Sequence, residues 1–250
     1  MSNPEVVVVP DATSLAREAA RRVVDIARDQ IGLRGRLTLA LSGGSTPRAL
    51  FRLLAAPSRV GDVDWSRVHV FWGDERAVPP DDDESNYRMA REALLDHVPV
   101  PPEQVHRILA ENRPDEAAAA YEQVLREVFG LAIGEPPDFG LMLLGIGADG
   151  HTASLFPGTR ALEETDRLVV ANVVPQLGTT RITVTVPVIT EAANILVLVA
   201  GADKADAVQR ALEAPYDPGQ TPSQILRTAA GRVAWLLDEA AAAGLDRRPG

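Results

Sequence analysis

A glycine-rich loop near the middle of the chain carries a carboxylate and an imidazole two residues apart. The loop follows an apolar run and reads Gly145-Ile146-Gly147-Ala148-Asp149-Gly150-His151. A histidine can accept a proton from water and later return it, and a nearby carboxylate can orient the ring. Asp149 and His151 are therefore the first candidates for catalysis. Gly147 is a candidate for close approach of a ligand to the backbone.

This loop also matches the dinucleotide fingerprint G-x-G-x-x-G, but the residues around it do not fit that interpretation. A dinucleotide-binding loop opens a long helix, whereas Pro157 and Gly158 cut short the segment that follows here. The next predicted strand ends in Pro175 instead of an acid that could hold a ribose. We therefore interpret the loop as one that presents Asp149 and His151 to a ligand.

A second glycine loop, Ser42-Gly43-Gly44-Ser45-Thr46, lies where a predicted strand gives way to a predicted helix. Paired glycines let backbone N–H groups point outward, and the hydroxyls and the helix N-terminus add further donors, which suits a phosphate. The alternative is a tight turn with a threonine cap. The position at the carboxyl edge of an α/β sheet, where ligands bind, favours the phosphate site.

Charged residues stand at the ends of other predicted elements. Asp74 and Arg76 follow an apolar strand directly, while Arg181 begins a strand and Lys204 lies near the start of a helix. Lys204 is the single lysine in the chain, which suggests that a compact ammonium is wanted there. The alternative interpretation of Lys204 is that its position is due to chance. The alternative for Asp74, Arg76 and Arg181 is that they are surface charges or ion pairs that contribute little to stability. A surface charge explains Arg181 equally well.

The overall composition excludes several classes of protein. A formal net charge of -10 disfavours nucleic acid as a partner, and the absence of cysteine removes disulfides and thiolate chemistry. The histidines show no paired spacing of the kind zinc sites use, so we expect no metal site and treat His69, His97 and His106 as structural. The chain shows neither a signal peptide nor an apolar stretch of membrane-spanning length, so we expect a soluble cytoplasmic protein without a membrane partner.

Apolar runs of strand length alternate with amphipathic stretches along the chain, which predicts an α/β fold with a mostly parallel open sheet and helices on both faces. We expect one domain over residues 1–250, with a small lobe near 160–190 as a second arrangement and a frayed tail at 246–250. The predicted strands are 5–9, 37–41, 68–72, 139–144, 168–174, 181–186, 194–200 and 232–237. The predicted helices are 14–31, 47–54, 84–97, 115–129 and 202–212.

Five stretches of the chain, in order, resemble the 6-phosphogluconolactonase family, which lies within the larger group that includes glucosamine-6-phosphate isomerases/deaminases. They are LSGGSTPRALF, FWGDERAVPPDDDESNYRMA, LLGIGADGHTASLFPGT, TTRITVTVP and GADKADAV. The resemblance implies a Rossmann-like fold and no metal or organic cofactor. It also implies hydrolysis of a sugar-phosphate lactone, 6-phospho-D-glucono-1,5-lactone, to 6-phosphogluconate in the oxidative pentose phosphate pathway.

The resemblance also assigns roles by position. The loop 42–46 would bind the phosphate, with Arg181 and Lys204 completing the anion site. Asp149 and His151 would be the catalytic pair, with Asp74 and Arg76 lining the sugar end of the site. Asn86 would contact the substrate. A lactone needs a water that is deprotonated as it attacks and a proton returned to the leaving ring oxygen, and His151 could do both. Either Arg76 or loop N–H groups would stabilise the oxyanion.

The sequence leaves two other functions as alternatives. The related isomerases/deaminases carry an acid five residues after the histidine, where this chain has Phe156, and an aromatic residue where it has Arg76. Both departures disfavour deamination. A non-catalytic sugar-phosphate sensor is the other alternative, but such regulators carry a basic DNA-binding module ahead of the sensor. Only about thirty-five residues precede the second strand here, and they read as one strand and one helix.

Overall fold

Nine strands and six α-helices make up the regular structure of the described part of the chain, residues 4–246, in the computed structural model. The strands are β1 (Glu5–Val9), β2 (Leu37–Leu41), β3 (Val68–Trp72), β4 (Asp74–Arg76), β5 (Leu141–Leu144), β6 (Val169–Val174), β7 (Thr179–Val184), β8 (Asn194–Val199) and β9 (Arg232–Asp238). The helices are α1 (Ala12–Arg34), α2 (Ser45–Leu54), α3 (Asn86–Ala93), α4 (Pro114–Phe129), α5 (Val186–Thr190) and α6 (Ala205–Leu212).

Six of these strands form a parallel sheet in the order β1-β9-β8-β5-β2-β3. Every residue of β2 and of β5 is buried, so both faces of the sheet centre are covered. Such strands read as continuous apolar runs because neither face meets water. The predicted α/β fold with a mostly parallel sheet is confirmed. The strand order also makes β8, β5, β2 and β3 neighbours, which brings four carboxyl-end loops to one edge.

A second, antiparallel sheet in the order β4-β7-β6 packs beside the first, and the sequence did not predict it. Only Gly73 separates the end of β3 from β4. The N–H of Gly73 donates to the carbonyl of Leu41 at 3.0 Å, and its carbonyl accepts from the N–H of Val184 at 2.9 Å. Gly73 therefore joins the two sheets through its backbone. The division of the chain into domains stays a prediction, and residues 247–250 of the expected frayed tail lie outside the described range.

Several predicted element boundaries differ from the observed ones, and two of these differences have a clear local physical cause. The strand predicted over 181–186 ends at Val184, and α5 begins at Val186 with Pro187 in its first turn. Proline cannot donate to a strand ladder but suits the first turn of a helix. The helix predicted over 84–97 is shorter, because Ser85 caps α3 and Leu94 leaves the helical conformation after Ala93.

Candidate active site

A cleft of ≈ 300 Å³ lies at the carboxyl edge of the parallel sheet, where the loops after β2, β3, β5 and β8 meet. Most of the predicted site residues line it: Ser42, Gly43, Gly44, Asp74, Arg76, Asn86, Gly147, His151, Arg181 and Lys204. Asp149 does not line the cleft but lies behind His151. Ser45 and Thr46 do not line it either, since they form the first turn of α2. The four loops converge because their strands are neighbours in the sheet.

His151 and Asp149 form a hydrogen-bonded pair beside this cleft. The Nδ1 atom of His151 lies 2.6 Å from Oδ1 of Asp149, and the same oxygen accepts from the His151 backbone N–H at 3.1 Å. Burial opposes ionisation of the Asp149 carboxyl, but the hydrogen bonds from His151 outweigh it, so the pKa of Asp149 is lowered. Because an ionised carboxylate can only accept, the pairing places the ring proton on Nδ1 and leaves Nε2 free to accept another.

Two neighbours fix the position of the imidazole. A Cβ atom on Gly147 would lie 2.1 Å from His151 Nδ1 and 2.5 Å from Asp149 Oδ1, so only glycine leaves room for the pair. On the other side the ring stacks on Phe156, with 4.1 Å between centroids and 25° between planes. The imidazole is thus held between a backbone, a carboxylate and an aromatic face.

Asn86 connects the second glycine loop to Asp74. A Cβ on Gly43 would lie 1.8 Å from Asn86 Oδ1, so the amide packs directly against the loop backbone. Asn86 Nδ2 donates to the backbone carbonyl of Asp74 at 3.0 Å. Both Asn86 and Asp74 are buried. Only glycine at position 43 therefore allows Asn86 to pack this closely against the loop backbone.

Glu75 has a structural function that the sequence analysis did not assign. Its carboxylate accepts from the backbone N–H groups of Asn86 and Tyr87 at 2.7 and 2.8 Å, at the start of α3. It also accepts from the N–H of Arg76 at 2.8 Å. Burial raises the pKa of Glu75 despite these donors. Of the two adjacent acids, Asp74 lines the cleft while Glu75 anchors the segment that carries Asn86.

The two arginines of the cleft have no carboxylate partner among the described residues. Arg76 and Arg181 are opposite each other in the antiparallel β4–β7 pair. Within residues 4–246, neither guanidinium has a carboxylate within 4.0 Å; Arg76 donates to the carbonyl of Glu84, and Arg181 donates to Thr179 Oγ1 at 3.3 Å. Burial, and then the charge of Arg76, lower the pKa of Arg181. Two adjacent cations of this kind are suited to an anionic ligand.

The N-terminus of α2 adds neutral donors to the same cleft. Its N-cap is Gly44, at φ 107, and no side chain caps the helix, whereas Asp11 caps α1 with a 2.7 Å hydrogen bond. An uncapped first turn leaves backbone N–H groups available to an anion. Ser42 Oγ, also in the cleft wall, is buried without a hydrogen-bond partner in the described structure. Lys204 is nearby but already pairs with Asp203 at 3.0 Å.

Sequence reasoning missed several residues of the cleft wall. They are Gly145, Ile146, Ala153, Ser154, Phe156 and Leu177. All of these except Leu177 stand in the quoted stretch that contains His151, so proximity in sequence was an available signal for five of them. Leu177, which is 55% exposed, lies in a turn between β6 and β7, and no sequence feature connects it to the other loops.

A second cavity, of ≈ 430 Å³, lies between α1 and the amino ends of β1, β8 and β9. Arg22 in its wall already pairs with Glu5 and Glu18, and Arg21 pairs with Glu18. Throughout the described range 4–246, no group of three or more His, Asp or Glu side chains is arranged to hold a metal ion. No helix in that range is long and apolar enough to cross a membrane.

Comparison with known proteins identifies the family of this chain. The family model described as glucosamine-6-phosphate isomerases/6-phosphogluconolactonase matches residues 10–235. The chain belongs to this family. Among its curated relatives are 6-phosphogluconolactonases from Nostoc, 43% identical over 95% of this chain and 97% of the relative, and from Mycobacterium tuberculosis, 42% identical over the same shares. The solved structure of 6-phosphogluconolactonase from Trypanosoma cruzi superposes with a TM-score of 0.86 at 30% identity, covering 99% of both chains.

Family membership fits the resemblance drawn from the five sequence stretches. The matched segment begins before α1 and ends within β9, so it includes all four loops of the cleft. The match therefore covers β2, β3, β5 and β8 in full and the first part of β9, and not only one motif. The residue five positions after His151, where the sequence analysis expected an acid in the related isomerases/deaminases, is the Phe156 that stacks on the imidazole.

Proposed function

We propose that this chain hydrolyses 6-phospho-D-glucono-1,5-lactone to 6-phosphogluconate, with water activated by His151. The activity named for its full-length relatives supports the reaction. The observation that carries the mechanism is the 2.6 Å contact between Asp149 and His151 Nδ1, beside a cleft in which Arg76 and Arg181 have no carboxylate within 4.0 Å among residues 4–246. A cytoplasmic location and the absence of a nucleic-acid partner or cofactor remain predictions.

The imidazole would act as base and then as acid. Nε2 of His151 takes a proton from water as the oxygen attacks the lactone carbonyl, and the tetrahedral intermediate forms. When the ring C–O bond breaks, the same proton passes to the departing ring oxygen, which becomes the free hydroxyl of the product. Asp149 keeps Nδ1 protonated and stabilises the positive charge on the ring between the two steps. No covalent intermediate with the protein is required.

The cleft would bind the substrate through the negative charges of the substrate's phosphate. The N–H groups of the loop 42–46, together with Arg181 and Lys204, would hold the phosphate. Arg76, adjacent to Arg181 in the paired strands, or the loop N–H groups would then stabilise the oxyanion that develops on the carbonyl oxygen. Asp74 and Asn86 would lie along the sugar ring.

The alternative within the family is deamination of glucosamine 6-phosphate. That chemistry would use an acid at the position of Phe156 to open the sugar ring. Here an aromatic ring stacks on the imidazole instead, and it has no proton to transfer. The lactone is the better match because its ring opens through attack by water.

A direct assay separates the two reactions. Purified protein with fresh lactone and EDTA should accelerate loss of the lactone above its spontaneous hydrolysis, and glucosamine 6-phosphate should release no ammonia. Ammonia release without lactonase activity would overturn the proposal. Activity that disappears with EDTA and returns with a divalent cation would overturn the prediction that no metal is needed.

A further inference from the structure

Ser154 is a buried hydroxyl in the cleft wall that the mechanism above does not use. It is 1% exposed, and its Oγ lies 2.5 Å from Oδ2 of Asp74, which is 7% exposed. A carboxylate oxygen accepts and a serine hydroxyl donates, so this is a short charge-assisted hydrogen bond in a desolvated place. The other carboxylate oxygen, Oδ1, has Asn86 Nδ2 as its nearest donor, at the long distance of 3.5 Å.

The backbone around Ser154 holds its hydroxyl in this position. Its N–H donates to Thr183 Oγ1 at 3.3 Å on β7, and its carbonyl accepts from Asn172 Nδ2 at 2.9 Å on β6. Ala153, directly before it, has φ 47 and is the only non-glycine residue with positive φ among residues 4–246. An alanine in the left-handed backbone region is strained, and such strain persists where the surrounding structure imposes it. The turn from 152 to 155, closed by a 3.0 Å backbone hydrogen bond, thus connects the His151 loop to the antiparallel sheet.

We propose that Ser154 is a positioning residue for substrate binding that acts through Asp74. By occupying Oδ2, it leaves Oδ1 as the acceptor that the carboxylate offers to a hydroxyl of the substrate. Asp74 has no cationic side chain within 4.0 Å in the described structure, so the hydroxyl of Ser154 is its closest donor. This inference rests on the proposed function, because it requires a polyhydroxy substrate in this cleft.

The test is a double-mutant cycle with steady-state kinetics on the phosphorylated lactone. Ser154→Ala keeps the backbone contacts to Thr183 and Asn172, so we expect a folded enzyme with KM raised about three- to tenfold and kcat changed less than about threefold. Asp74→Asn should raise KM by about tenfold or more. Adding Ser154→Ala to Asp74→Asn should change KM little further, because the hydroxyl acts through the carboxylate.

Ser223→Ala is the matched control. Ser223 is also fully buried, but its Oγ has no hydrogen-bond partner in the described structure. Its kinetics should equal those of the wild type. If Ser154→Ala proves unstable in thermal melts, Ser154→Cys keeps a small side chain with a weaker donor, and its KM should rise in the same direction.

The outcomes distinguish a failure of the role proposed for Ser154 from a failure of the proposed lactonase function. Kinetics of Ser154→Ala equal to those of Ser223→Ala, with Asp74→Asn impaired, would overturn the role of Ser154 alone. Additive effects of Ser154→Ala and Asp74→Asn on KM would also overturn it, since a residue acting through Asp74 cannot add to the loss of Asp74. Unchanged kinetics of Asp74→Asn would remove both the role of Asp74 and this inference. Absence of lactonase activity in the wild type would instead overturn the proposed function itself.

Discussion

At the scale of single residues, the account depends on how closely His151 is held. The ring lies against the backbone of Gly147, bonds to Asp149 and stacks on Phe156. General-base catalysis requires the accepting nitrogen to be within hydrogen-bond reach of the proton it removes. A small displacement of the imidazole therefore matters more to the rate than a comparable displacement elsewhere in the cleft.

Gly147→Ala tests this constraint. The added methyl would lie 2.1 Å from His151 Nδ1, so the ring must move away from its position. We expect kcat to fall by about tenfold to a hundredfold, the cost of roughly 1 Å of misplacement. Gly145→Ala in the same loop is the control, because its methyl would meet nothing closer than Leu198 O at 3.8 Å and should cost far less. Equal losses of kcat in the two variants would show that the close contact between position 147 and the imidazole does not control the rate.

At the scale of elements, the ends of four parallel strands and the antiparallel β4–β7 pair bring the cationic side chains and N–H donors of the cleft together. The β4–β7 pairing puts Arg76 beside Arg181, and the uncapped α2 begins at the loop after β2. These cations come from elements far apart in the chain. Their repulsion is a cost to the free protein that a bound dianion would offset.

Substituting the anion-site cations should weaken binding more than turnover. Arg181→Ala or Lys204→Ala should each raise KM for the phosphorylated lactone about tenfold to a hundredfold, since a charged hydrogen bond contributes roughly 1.5–3 kcal/mol. Lys204→Arg should restore binding only in part, because a planar guanidinium does not replace a compact ammonium. Steady-state kinetics on the unphosphorylated lactone is the control. Equal efficiency of the wild type on both lactones would contradict the assignment.

The sequence predicted the parallel sheet, for physical reasons that also explain what it missed. Strands buried on both faces are continuous apolar runs, so 37–41 was recognised with its exact limits. The three-residue strand β4 has no such pattern, because its pairing with β7 depends on a distant segment. The bond between Ser154 and Asp74 likewise joins residues 80 positions apart, which no local spacing could reveal.

At the scale of the whole molecule, a half-buried histidine pair connects stability to pH. His69 Nδ1 lies 3.2 Å from His106 Nε2, and His106 stacks on Phe71. Burial, and then the charges of His69 and Arg36, lower the pKa of His106 from its ordinary 6.5 to about 4. Burial also lowers the pKa of His69. The sequence analysis treated both histidines as structural, and neither lies in the cleft wall.

This pair should make the protein less stable in acid. Between about 4 and 6.5 the unfolded chain binds more protons than the folded one at His106, so the free energy of unfolding rises with pH across that window and falls on acidification. Denaturant unfolding at a series of pH values measures it. His106→Phe keeps an aromatic ring against Phe71 and should show a shallower dependence, while a variant of the exposed His97 should match the wild type. Identical slopes for wild type and His106→Phe would contradict the prediction.

The most direct test of the central claim is the kcat of His151→Ala. If His151 is the base, kcat on the phosphorylated lactone should fall by about 10²–10⁴-fold while KM stays within a few-fold, because the anion site is separate. Thermal melts must show a folded variant, and His97→Ala, at an exposed histidine, should keep wild-type kinetics. A folded His151→Ala with near-wild-type kcat would contradict the account.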